Sequence, residues 1–197
     1  QTFLKVLFAN GLEWQAFHQH APMHPQIWFV HYRGVCDPVN LAKGLRAAID
    51  TTSTPLPQPS PPHPTSPLDD KKLAAILHGK ATIGDEGVVT VDVSRKHGVK
   101  IENVDVQPET GISVQIQFKP TGNGSEAQVV PDFGMTADEI TPAVHTMFIE
   151  HDWDQGCLYN QETAEQPQLY FDHMAKQGDA YQLAREIRDG LDHLDVE

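Results

Sequence analysis

Three histidines carry the clearest chemical signal in this chain. His18 and His20 stand two apart in FHQH, and His31 follows in IWFVHYR, with His24 between them. Residues two apart on a strand leave the same face. The strand holding His31 would fold back across the 21–26 connection, where Pro22 and Pro25 break the chain. Neutral imidazole is a borderline ligand, and three of them converging on a hairpin suit a divalent ion such as zinc or copper. His18, His20 and His31 are therefore the candidate metal ligands. The competing reading makes them a polar cluster on an exposed sheet face, or histidines satisfied inside a half-buried strand. A catalytic metal would need an open coordination position for water and a base beside it. Glu13 is the nearest acid in sequence, and strict alternation points it away from His18 and His20. That favours binding over catalysis. G-x-S-x-G, H-E-x-x-H, P-loop and CxxC patterns are all absent from the sequence.

The elements that would position these residues occur twice. Residues 25–50 and 167–192 align without a gap at an offset of 142, and nine of 26 positions are identical. Pro25/Pro167, His31/His173, Asp37/Asp179, Arg46/Arg188 and Asp50/Asp192 are among them. A match of this kind marks a duplicated structural unit. Each copy reads as strand, short loop, helix. Carried along the same offset, the three histidines fall on Asn160, Glu162 and His173, a poorer ligand set. His173 then reads as structural, bonded to backbone.

Taken in order, residues 1–9 suit the end of a buried helix, Asn10-Gly11 a turn, 12–20 and 27–33 two strands. On the first strand Leu12, Trp14, Ala16 and His18 share a face. Asp37 caps a helix with Pro38 at its first position and Leu41, Leu45 and Ile49 inward. Residues 51–67 hold seven prolines and no charge, a linker biased to polyproline II. Asp69-Asp70 caps a short helix, Lys71 to Leu77, ended by Gly79. Val88–Val93 and Val99–Val106 read as a hairpin, Ile112–Phe118 and Ala127–Val130 as strands. Thr136–Phe148 reads as a helix with a Thr136/Glu139 capping box and Pro142 inside it. Strands around Trp153–Gln161 and Leu169–Met174 precede a last helix from Asp179, burying Leu183, Ile187 and Leu191. Trp14 and Trp153 recur near the same repeat position and read as core.

This predicts an α+β fold: an antiparallel sheet packed with helices on one face, in a duplicated unit whose first copy is incomplete. Residues 1–50 would be the C-terminal half of a first unit, 51–67 the linker, and 68–197 a complete second unit. The half-unit would have to bury its apolar face against the second unit or by self-association. The chain opens at Gln1 inside structured-looking sequence, which reads as a processed or truncated piece.

Charge narrows the partners. The net charge is −13, and residues 68–197 carry ten Lys/Arg against 24 Asp/Glu. A surface this acidic repels phosphate backbones, so nucleic acid is excluded as a partner class. No apolar run approaches the roughly 18 residues of a membrane span. Cys36 and Cys157 do not align with each other; they are either one disulfide or two free, partly buried thiols.

Several separate motifs carry a family resemblance. FHQHAPMHPQIWFVHYRGVCDPVNLAKGLRAAID resembles the ending of the LppY/LpqO family. FKPTGNG with PDF, and DEITPAV, resemble two internal segments of that family in the same order. The resemblance covers most of residues 12–50 and 68–197. It implies tandem copies of one domain in a secreted or cell-envelope protein, and it implies no activity. Three functions are left open: a protein binding a metal or small ligand at the histidine hairpin, a hydrolase-like metal enzyme, and an interaction module with no ligand.

Overall fold

A computed structural model of the chain describes residues 1–19, 27–53, 64–107, 112–122 and 124–197. The fold is α+β, with helices packed on antiparallel sheets. The described residues form two compact units, the first within residues 1–53 and the second from residue 64 onward. His20 and residues 54–63 of the linker lie outside the described residues. No helix among those described is long and apolar enough to cross a membrane.

The first unit runs α1 (Thr2–Ala9), β1 (Glu13–His18), β2 (Phe29–Arg33) and α2 (Pro38–Ile49). Asp37 caps α2 by accepting from the Asn40 N–H at 3.0 Å, and Pro38 opens it. The inward stripe of α2 is Leu41, Gly44, Leu45 and Ala48, at helical spacing. It packs on Leu7 and Leu12, with Phe3, Val6 and Val30 around them. Ile49 is not part of this core, because the stripe turns through Ala48 instead. Gly44 allows the close approach: a Cβ there would lie 2.6 Å from the Asn10 Cβ.

The second unit is built on a six-stranded sheet in the order β3-β4-β7-β8-β11-β9. Its strands are β3 (Lys80–Ile83), β4 (Val89–Val93), β7 (Val114–Pro120), β8 (Glu126–Met135), β9 (Asp154–Tyr159) and β11 (Tyr170–Asp179). Two short strands, β5 (Lys100–Ile101) and β6 (Val104–Asp105), join β10 (Glu165–Gln166) in a separate small sheet. The expected hairpin between Val88–Val93 and Val99–Val106 therefore does not form. β4 pairs with β3 and β7, and Val99–Val106 folds on itself. β3 has only four residues and half-alternating burial, too little pattern to read from sequence.

Three helices, α3 (Asp70–Leu77), α4 (Ala137–Val144) and α5 (Ala180–Leu191), contribute to the main core. The sheet offers them Val89, Val91, Val93, Val114, Ile116, Phe118, Val129 and Phe133, alternate residues that share one face. α3 ends on His78 in the left-handed region (φ 57°), not on Gly79. Gly79 has another role, since a Cβ there would meet the Asp92 carbonyl oxygen at 2.6 Å. α4 gives way after Pro142 to a π-helical turn, His145–Glu150. α5 keeps the predicted cap, with Asp179 accepting from the Tyr181 and Gln182 N–H groups, and buries Leu183, Ile187 and Leu191.

One buried ion pair ties the ends of this unit together. Arg95 makes a forked contact with Glu139, Nη1 to Oε2 at 3.1 Å and Nη2 to Oε1 at 3.0 Å. The same carboxylate accepts from the N–H of Thr136 at the start of α4 and of Asp195 near the C-terminus, both at 2.7 Å. Burial alone would raise the pKa of Glu139, but Arg95 and these N–H groups hold it below the ordinary glutamate value. Removing one partner strands a buried charge, so Glu139→Ala should cost about 3–5 kcal/mol. The check is the urea unfolding midpoint. Because the folded pKa is depressed, the wild-type advantage should be present at neutral pH and shrink as pH falls through the carboxylate range.

Candidate functional site

The histidine hairpin of the first unit forms as a pair of rings. β1 and β2 are antiparallel, with Ala16 opposite His31 and His18 opposite Phe29. The His18 and His31 rings stack at 5.1 Å between centroids and 12° between planes. Their Nε2 atoms lie 2.9 Å apart, and the His18 Nδ1 lies 3.2 Å from the Gln19 carbonyl oxygen. Both rings are half-buried. Among the described residues, no set of three or more His, Cys, Asp and Glu side chains is placed to hold an ion. His20, the third candidate, lies outside them.

A β-bulge changes which residues share faces. The register skips Gln15, so Trp14 pairs with Tyr32 and Ala16 with His31. Residues directly opposite each other share a face. Trp14 consequently joins Phe17 and the stacked Phe17–Trp28 pair on the other side of the hairpin. Trp14 is exposed rather than core, unlike buried Trp153, whose Nε1 donates to Glu186 at 3.0 Å. Glu13, opposite Arg33, falls on the His31 face and not away from it. The simple alternation expected from sequence fails at that one extra residue.

The second unit repeats this register. β9 pairs with β11 so that Gln155 faces Met174, Cys157 faces His173 and Tyr159 faces Phe171, with Gly156 skipped. Counted from the paired strand, Cys157 occupies the place of Ala16, and Tyr159 that of His18. The counterpart of His18 is therefore Tyr159, one residue from the Asn160 that the ungapped offset gives. The Tyr159 ring stacks on His173 at 5.6 Å and 8°, as His18 stacks on His31. Asn160 instead donates to the Leu169 carbonyl at 2.6 Å, and Glu162 accepts from the Ala164 N–H at 3.1 Å.

His173 lies between two side chains of neighbouring strands. Its Nδ1 lies 3.3 Å from the Cys157 Sγ, and its Nε2 lies 3.1 Å from the Asp132 Oδ2. The three residues sit with Gln115 in one cross-strand row: Gln115 on β7, Asp132 on β8, His173 on β11 and Cys157 on β9. Asp92 on β4 extends the row, its Oδ1 accepting from Gln115 at 3.1 Å. The row lies on the face away from the main core, because its members alternate with Ile116 and Phe133. A second apolar cluster of Val99, Ile112, Leu169 and Phe171 packs there, with Tyr159 against it.

Burial shapes the electrostatics. His173 is 1% exposed, and burial opposes its charge, yet the Asp132 carboxylate and the Cys157 sulfur push its pKa up to about 9. Burial drives the Tyr159 phenol far above its usual range, with Asp132 and Cys157 adding to it, so the ring on His173 stays neutral. Asp172, fully buried and opposite Phe133, is pushed up to about 6 by burial against the hydrogen bond from Gln155. Its Oδ2, like the Asp132 Oδ1, is buried with no hydrogen-bond partner among the described residues. Glu165 is likewise raised to about 7 by burial, although the Leu169 N–H and Gln168 bond to it.

Other polar signals resolve into local pairs. Arg95 of the basic Ser94–His97 stretch is taken by Glu139, and His97 meets Asp195 at 2.5 Å. His145 pairs with Glu150, and His151 with Asp189. Cys36 and Cys157 are not joined in a disulfide; Cys36 is exposed and Cys157 half-buried.

The chain matches a family profile described as Domain of Unknown Function (DUF1259) over residues 1–51 and 71–193. It belongs to that family. Neither a curated protein nor a solved structure matches it. The two matched stretches of the DUF1259 chain contain both ring pairs, His18–His31 and Tyr159–His173.

Asp172 gives a pH-dependent prediction. Its folded pKa lies above the unfolded value of 3.8, so its contribution to stability falls as pH rises from 3.8 through about 6. Asp172→Asn should therefore stabilise the protein at pH 8, by about 2–3 kcal/mol, and leave it unchanged near pH 3.5. Denaturant unfolding at the two pH values measures this. Equal effects at both would contradict a raised Asp172 pKa.

Proposed function

We propose that this protein is a binding module whose first unit holds a divalent cation of the zinc or copper class between His18 and His31. The observation that carries this is the 2.9 Å separation of the two Nε2 atoms across the hairpin. With metal–nitrogen bonds of about 2.0–2.1 Å, two atoms that far apart subtend roughly a right angle at a shared ion. A widening of a few tenths of an ångström would reach the tetrahedral angle. His20 is the natural third ligand. In this reading the second unit is a duplicate in which Tyr159 has replaced the first ligand, so the ion belongs to the first unit alone. The reading is compatible with the resemblance to LppY/LpqO proteins and with a secreted or cell-envelope setting.

A metal-dependent hydrolase is the second reading, and it gains from Glu13 lying on the His31 side of the bulged strand. Binding is preferred because Glu13 pairs with Arg33 at the far end of the hairpin from His18.

Calorimetric titration of zinc and copper into the full chain tests the proposal. His18→Ala and His31→Ala should each weaken binding by tenfold or more, and His173→Gln should leave it unchanged. Affinity should drop as pH falls through about 6.5, where free imidazole takes up a proton. If the two rings merely share one proton, both substitutions would alter stability while wild type and variants take up metal alike. That result would end the proposal.

A further inference from the structure

The row on the second unit has the parts of a nucleophile site. We propose that Cys157, His173 and Asp132 form a Cys-His-Asp centre that reacts with acyl electrophiles, small activated esters or thioesters. The connectivity supports it: sulfur to one ring nitrogen at 3.3 Å, carboxylate to the other at 3.1 Å. In Cys-His sites the base orients on the thiol, and a third group fixes the ring. Here all three sit on paired strands, which hold them more firmly than loops would. Tyr159 stacked on His173 fixes the ring plane.

Access comes from the sheet edge. β9 is the last strand in the order, so Cys157 stands on the outermost position of the row and is half-buried rather than sealed. The bulge at Gly156 lies directly before it, and bulges of this kind re-aim side chains at strand edges. The groups that face the centre are Asp132 from β8, His173 from β11 and Tyr159 from β9, with Asp172 adjacent on the chain. Asp132 supplies the counter-charge to an imidazolium, and the imidazolium stands beside the sulfur.

The chemistry balances in two steps. The sulfur attacks the acyl carbon and forms a thioester. The ester oxygen leaves as the alcohol, carrying away the Nδ1 proton of His173. The neutral ring then takes a proton from water as its oxygen attacks the thioester. The carbonyl–sulfur bond breaks, the carboxylic acid departs, and the sulfur and charged ring are restored. No oxidant or cofactor enters.

Cys36 is a built-in reference, being an exposed thiol without this arrangement. The test is alkylation of the full chain by iodoacetamide at pH 6, with each cysteine followed by peptide mass analysis. A parallel incubation with p-nitrophenyl acetate looks for a burst of nitrophenol and an acetyl group on Cys157. The expected result is Cys157 alkylated at least tenfold faster than Cys36, with a burst that Cys157→Ser abolishes and Cys36→Ser does not. Asp132→Asn should slow the alkylation of Cys157 several-fold while leaving that of Cys36 unchanged. Comparing the two thiols within the wild-type chain requires no variant to fold. Cys157 reacting no faster than Cys36 at pH 6, or a burst retained in Cys157→Ser, would overturn the proposal.

Discussion

The chemistry of the second unit depends on one strand being paired on both sides. β11 runs between β8 and β9, and its register sets His173 opposite Asp132 on one side and Cys157 on the other. A slip of one residue on either side would turn the partner to the opposite face. The register is fixed from the core side, where Phe133, Val129 and Met174 are buried beneath the helices. Burial of the apolar face therefore decides which polar groups meet on the other. The satellite cluster around Phe171 and Leu169 then closes that face over His173 and makes its charge depend on Asp132.

The two units contrast at the same positions. Both carry the bulge, the helix cap and the i,i+4 pair at the helix end, Arg46–Asp50 at 2.8 Å and Arg188–Asp192 at 2.9 Å. Both put an aromatic ring over the aligned histidine, His31 on β2 and His173 on β11. They differ in what flanks that histidine. In the first unit the flanking ring is His18, and Ala16 stands opposite. In the second, Tyr159 stands where His18 does, and Cys157 and Asp132 flank the histidine. A shared scaffold thus presents a pair of imidazoles in one place and a thiol–imidazole pair in the other.

The helices and most strands were legible in the sequence because their signals are local. Asp37-Pro38 and Asp179 start helices as expected, and strict alternation marks the strand from Val114. The histidine pair was legible too, since two strands consecutive in sequence bring it together. The row on the second unit was not. Asp132, Cys157 and His173 come from three strands, and no short motif spans them. The connection hid it further: the stretch from Tyr159 to its partner Phe171 is one residue longer than that from His18 to Phe29, so a gapless offset names Asn160 instead of Tyr159. The bulge at Gln15 and at Gly156 also breaks the alternation read along β1 and β9. The glycine inside that strand was the available clue, because an interior strand glycine often marks a bulge. The exposure of Trp14 was missed for the same reason.

The most direct measurement is the protonation of the His173 ring, read by nitrogen NMR of labelled imidazole at pH 7.5. A ring held between the Asp132 carboxylate and the Cys157 sulfur should carry protons on both nitrogens there and lose one only as pH approaches about 9. A neutral His173 at pH 7.5, protonated on one nitrogen alone, would contradict the account.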